Sequence, residues 1–223
     1  MKLPDYKKIA ATVEKKKVEV DEKEIEQTIE WLRNSRKEEG KDAPEMTDEF
    51  AASLGDFKDV AALKDSIKQG VLQEKTIQET QRVRQEVVEK IAEKTTVEIP
   101  ETLLERERES MLANMKEGVK RTLQMEFPQY LEKTGKTEKE ITDTIAQDAG
   151  KRVRGFLVLR EISKVENIEV TPEEIAVEVE KAIAQYSTPE NEKKDIDQER
   201  LKEYAEGAIK NEKTFQFLEQ LTS

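Results

Sequence analysis

The chain has 223 residues, of which 35% are hydrophobic and 40% charged; it carries a formal net charge of −11 and contains neither cysteine nor histidine. The missing residue types exclude disulfides, thiolate or imidazole metal sites, Cys nucleophiles and His acid–base chemistry. The acidic balance disfavours a nucleic-acid partner, and no apolar run approaches the roughly 20 residues needed to span a bilayer.

Ordinary domains are about 45–50% apolar and 25% charged. This chain therefore has much surface for its core, and an open or elongated helical body fits. Residues Met1-Lys2-Leu3-Pro4-Asp5-Tyr6 lack the apolar segment of a signal peptide, so the expected location is the cytoplasm. Lys15, Lys16 and Lys17 form one short basic run, read as a solvated strand end.

Three segments share one grammar: VEVDEKEIEQTIEWL at 18–32, VEIPETLLERERESML at 97–112 and IEVTPEEIAVEVEKAI at 168–183. Each opens with a short extended piece and continues as an amphipathic helix. Asp21 with Glu24, and Thr171 with Glu174 and Pro172, are N-terminal caps. Ile99 before Pro100 is pushed to an extended conformation, and a helix starts just after it. The extended pieces either pair or lie along the helices.

The first helix runs from 21 to about 38, with Ile25, Ile29 and Leu32 on one stripe and Trp31 beside it. EEGKDAPEMTDEF, with Gly40 and Pro44, is a loop. Thr47 to Leu54 is a short helix with Gly55 as C-cap. A long helix starts near Asp59 and runs through Ile91, with Gly70 inside it. A second runs from Glu101 to about Met125, interrupted or softened near Gly118. Phe127, Pro128 and Tyr130 mark a break, and Leu131 precedes a C-cap at Gly135. Thr137 with Glu140 caps a helix reaching about Val165. Its Val153–Ile162 stretch is apolar on all sides and is read as core. Glu173 to Tyr186 follows, then a polar loop around Pro189, and residues 197–221 form the last helix.

In this order the motifs resemble the bacterial trigger factor family. The resemblance rests on Asp48-Glu49-Phe50-Ala51 with Leu54-Gly55 and Phe57, on Val97-Glu98-Ile99-Pro100 before Leu103-Leu104, and on Arg152-Val153-Arg154-Gly155-Phe156-Leu157-Val158-Leu159 with Glu161-Ile162 and Glu166-Asn167-Ile168. VEKKKVEVDEKEIEQTIEWLRNSR resembles the linker before the family's isomerase domain, and Leu3-Pro4-Asp5-Tyr6 the exit from its ribosome-binding domain. The family's Gly-Phe-Arg-x-Gly-x-x-Pro docking motif does not occur here. The loop around Gly40 and Pro44 is too short for an isomerase domain of roughly 100 residues. Neither ribosome docking nor isomerase activity is carried over; the expectation is a shortened form, whether lost in nature or removed by design.

The resemblance implies a mainly all-α fold, an elongated body with two helical arms forming a cradle and minor extended segments. It implies a linker strand and helix at 1–43 and a client-binding domain at 44–223. The implied function is an ATP-independent, non-enzymatic chaperone that holds unfolded or nascent polypeptides, with self-association through the cradle. The alternative is a helical adaptor with one specific partner. No cofactor, metal, nucleic acid or membrane partner is expected, and no GxxxxGK[ST] or GxGxxG phosphate loop occurs.

Candidate client-binding residues fall in three groups. Met111, Met115, Val119, Leu123, Met125, Phe127, Tyr130 and Leu131 form the first, with Met111, Met115 and Val119 on one helix face. Flexible, polarizable methionines suit varied clients. Ile175, Val179, Ile183 and Tyr186 form the second stripe, and Phe215 and Phe217 the third. The alternative for each group is ordinary helix packing. Glu105, Glu107 and Glu109 alternating with Arg106 and Arg108 read as surface ion pairs rather than a carboxylate dyad.

Overall fold

The computed structural model describes residues 1–37, 40–186 and 197–223. Among these residues the fold is all-α, and the helices are α1 (Tyr6–Ala10), α2 (Glu22–Ser35), α3 (Asp48–Leu54), α4 (Val60–Glu93), α5 (Glu101–Leu123), α6 (Phe127–Thr134), α7 (Glu138–Val165), α8 (Pro172–Tyr186) and α9 (Gln198–Glu219). No described helix is long and apolar enough to cross a membrane. The expected loop around Pro189 lies outside the described residues.

The chain forms two compact units. One comprises residues 14–83, the other 1–13 together with 84–223. In the smaller unit, α2 carries a reciprocal cap: the Asp21 side chain accepts from the first-turn backbone while Glu24 accepts from the Asp21 amide. Ile29, Phe50, Ala51, Leu63 and Val83 are its buried apolar residues, and Trp31 stands in solvent. Asp48 Oδ1 accepts from the Val60 amide at 2.9 Å and Asp59 Oδ1 from the Ala62 amide at 2.7 Å, which satisfies orphan donors where α4 begins. Gly55 does not take the left-handed conformation of a Gly C-cap; its backbone is extended (φ 160°), with the Phe57 ring packed over it.

The segment before α2 is extended yet pairs with no strand. Side chains of α4 clip it instead. Glu79 accepts from the Lys16 amide at 2.7 Å, Arg82 donates to the Glu14 carbonyl at 2.7 Å, and Lys75 donates to the Glu19 carbonyl at 2.7 Å and to Glu24. Hydrogen bonds from Arg82, then from the Lys16 amide, hold the Glu79 carboxyl down at about 2, against an ordinary 4.5. A folded value below the unfolded one means the clip contributes fully above about pH 4.5 and is lost as pH falls toward 2. The Lys16 amide resonance is expected to titrate in that window by NMR, and Glu79→Gln is expected to remove the titration. A Lys16 amide that ignores pH in the native chain would refute the clip.

In the larger unit, α7 is the central helix, paired with α5 on one side and α9 on another, while α8 pairs with α9 and α1 touches α9. A Cβ at Gly155 would stand 3.0 Å from Val88 Cγ1, so any larger residue would press on the Val88 side chain where α7 passes α4. Ile91, Val158, Ile162, Thr214 and Leu218 are fully buried or nearly so. The Tyr6 hydroxyl donates to Glu166 from a buried position. Burial first, and that carboxylate second, push its pKa up to about 12.

Local signals hold well in this unit. Thr137 with Glu140 forms the expected capping box, and Thr171 exchanges hydrogen bonds with Glu174 ahead of Pro172. Gly135 is left-handed (φ 67°) and closes α6. One expectation fails and another shifts. The helix α5 runs unbroken through Gly118, whose surroundings are open. The break expected at Phe127, Pro128 and Tyr130 falls just before them, at Gln124–Glu126, and these residues lie in α6, because proline is tolerated in the first turn where its missing N–H is not needed.

Candidate functional site

The first group of candidates converges on the layer where α5, α6 and the N-terminal half of α7 meet. Val119 and Phe127 are buried there with Ile141 and Ile145. Met111, Met115, Met125, Tyr130 and Leu131 pack half-buried around them, and Leu123 is 46% exposed. Phe127 stacks near Tyr130 with ring centroids 6.1 Å apart, and the Lys116 ammonium lies 5.1 Å from its ring centre. Val119 and Phe127 thus floor the cluster, while the methionines and Leu123 form its outer edge.

In the second group, Ile175, Val179 and Ile183 are half-buried on the helix that pairs with α9. Lys213 of α9 ties this pair by reaching Glu174 at 2.7 Å and the Glu169 carbonyl at 2.8 Å. The Tyr186 side chain lies outside the described residues. In the third group, the Arg84 guanidinium covers Phe215 at 5.2 Å and the Lys7 ammonium lies 5.5 Å from the Phe217 ring centre. Phe217 therefore meets α1, while Phe215 meets Arg84 of α4.

The reading of Val153–Ile162 as uniformly buried core does not hold at Phe156, which is 52% exposed, although Val153, Leu157, Val158, Leu159 and Ile162 are buried. Phe156 opens into a groove of about 510 Å³ between α5 and α7. Leu103, 37% exposed, faces it from α5, and Val153 and Leu157 form its base. Arg106, Arg152, Arg160, Glu107 and Ser110 complete the lining. Arg152 pairs with Glu107 at 3.1 Å, whereas Arg106 and Arg160 have no ion-pair partner among the described residues. Of the alternating charges of α5, two make surface ion pairs among the described residues: Arg108 with Glu101 at 2.9 Å and Glu107 with Arg152. The sequence held one signal of this groove: Arg152, Phe156 and Arg160 share a face at four-residue spacing, an aromatic bracketed by charges.

Such a groove can hold an apolar side chain against Leu103 and Phe156. Among the described residues, no acidic cluster could hold a metal ion.

A family model described as bacterial trigger factor protein C-terminus matches residues 59–220. The trigger factor of Caldicellulosiruptor saccharolyticus is 33% identical over 175 residues, covering 77% of this chain and 39% of the relative. That of Clostridioides difficile is 33% identical over 187 residues, covering 80% and 41% respectively. A solved structure described under "Promiscuous Substrate Recognition in Folding and Assembly Activities of the Trigger Factor Chaperone" aligns with a TM-score of 0.44 and 21% identity, covering 79% of this chain and 43% of that one. The chain spans about two-fifths of the length of the curated relatives it matches. With residues 59–220 matched by the family model and a third of the aligned residues identical, the chain belongs to the bacterial trigger factor family, whose C-terminal part it contains.

Proposed function

We propose that this chain is the client-holding body of an ATP-independent chaperone, which binds unfolded or nascent polypeptides reversibly in the cytoplasm without a chemical step. One observation carries the reading: a groove that leaves Leu103 and Phe156 exposed within a chain whose residues are 40% charged. Solvent-facing apolar surface set in a highly charged rim is what a soluble protein needs to hold an apolar client. Leu123 and the half-buried Met111, Met115, Met125, Tyr130 and Leu131 extend this surface, and the Ile175–Val179–Ile183 stripe, Tyr186, Phe215 and Phe217 supplement it. Residues 44–223 form the client-binding portion in this reading, with 1–43 as a leading linker. Neither ribosome docking nor prolyl isomerisation is assigned to these residues. Without client, the same surface pairs copies of the chain at high concentration.

The test is light scattering of a chemically unfolded model protein diluted into increasing amounts of this chain without nucleotide, repeated with an unrelated second protein. Dose-dependent suppression of both is expected. Leu103→Ser with Phe156→Ser is expected to raise the half-suppressing concentration several-fold with unchanged helical circular dichroism, since both side chains are exposed. Suppression of neither protein refutes the proposal; suppression of only one moves the reading to an adaptor with a dedicated partner.

A further inference from the structure

We propose that the groove between α5 and α7 selects polypeptide segments in which carboxylates flank apolar residues; this rests on the holding function proposed above. Three arginines line the groove against one glutamate, and that glutamate is already paired with Arg152. The two guanidiniums left over, Arg106 and Arg160, stand on opposite helices of the groove beside its two exposed apolar side chains. The rest of the chain is strongly acidic, with a net charge of −11, so this cationic site is a local exception.

The spacing defines the ligand. Arg160 follows Phe156 by one turn of α7, roughly 6 Å along the axis. Arg106 follows Leu103 by three residues of α5, on the same face. An extended peptide advances about 3.3 Å per residue. An apolar residue seated on Phe156 therefore places a carboxylate about two residues away at the Arg160 guanidinium, and Arg106 serves the segment's other flank. Guanidinium forks bind carboxylates in two-point fashion, which gives the contact direction as well as charge.

The experiment uses the full chain and two fluorescein-labelled peptides with the same apolar centre, one flanked by aspartates and the other by lysines. Binding is read by fluorescence anisotropy. The long-range field of an acidic chain favours the lysine peptide, so the expected result runs against it: the aspartate peptide binds roughly three- to tenfold tighter. That preference is expected to collapse in about 1 M salt, where screening acts within roughly 3 Å. Arg106→Gln with Arg160→Gln is expected to abolish the preference, so that the two peptides bind alike. Both arginines face solvent, and circular dichroism checks that the variant folds. Equal binding of the two peptides, or a preference unchanged in the variant, overturns the selectivity and leaves the holding function standing. Failure of both peptides together with failure to hold any client overturns both readings. Displacement of the aspartate peptide by a single-stranded oligonucleotide at equal charge concentration also overturns it, in favour of a general polyanion site.

Discussion

Replacing Ile162 with alanine is expected to destabilise the larger unit by about 2–5 kcal/mol and lower its melting temperature by roughly 5–15 °C. Ile162 is 0% exposed and sits on α7, the helix that pairs with both α5 and α9. Its removal forfeits apolar burial and leaves a void that a close-packed interior fills only in part. Val165→Ala, three residues on, is the control: Val165 is 55% exposed and its truncation is expected to stay within about 0.5 kcal/mol. Thermal melts followed by circular dichroism compare the two. Equal shifts would show that α7 is not the centre of the core.

Arg84→Met is expected to cost about 1–3 kcal/mol through the loss of charge-assisted hydrogen bonds and a cation–π contact. Arg84 of α4 donates to both carboxylate oxygens of Glu212 at 2.8 and 2.7 Å, pairs with Glu219, and lies over the Phe215 ring. Its side chain is only 24% exposed, which limits solvent screening. The same hydrogen bonds hold the Glu212 carboxyl below its ordinary range. The contribution is therefore present at neutral pH and is lost as acid protonates Glu212 below that range. A double-mutant cycle of Arg84→Met with Glu212→Gln, measured by denaturant unfolding, isolates the pair. A coupling indistinguishable from zero would reduce Arg84 to an ordinary surface charge.

Much of the fold was legible residue by residue because its signals are local. Asp21 with Glu24, Thr137 with Glu140, and Thr171 with Glu174 exchange hydrogen bonds across three positions, so the pattern carries the whole geometry. Gly135 needed only its positive φ. The ordered motifs from Asp48 through Ile168 were enough to reach the family. The Met-rich stripe of α5 was legible as a face, with both of its readings open; its neighbours α6 and α7 decide that Val119 and Phe127 lie beneath it while Leu123 stays out.

The groove was not legible in the same way. Phe156 sits amid the most apolar stretch of the chain, and its one local mark, the arginines four residues to either side, does not say which helix stands opposite. Its exposure follows from α5 and α9 each covering part of α7 and leaving its Arg152–Phe156–Arg160 face open. Likewise Phe217 meets Lys7 from the other end of the chain, and the extended segment at 14–19 is held by α4 side chains rather than by a strand. The sequence by itself determined helix starts, caps and apolar stripes, because those depend on contacts within one or two turns. Which stripe is covered and which aromatic faces solvent was decided only by the tertiary structure, because burial depends on the helix standing opposite, and that helix is far away along the chain.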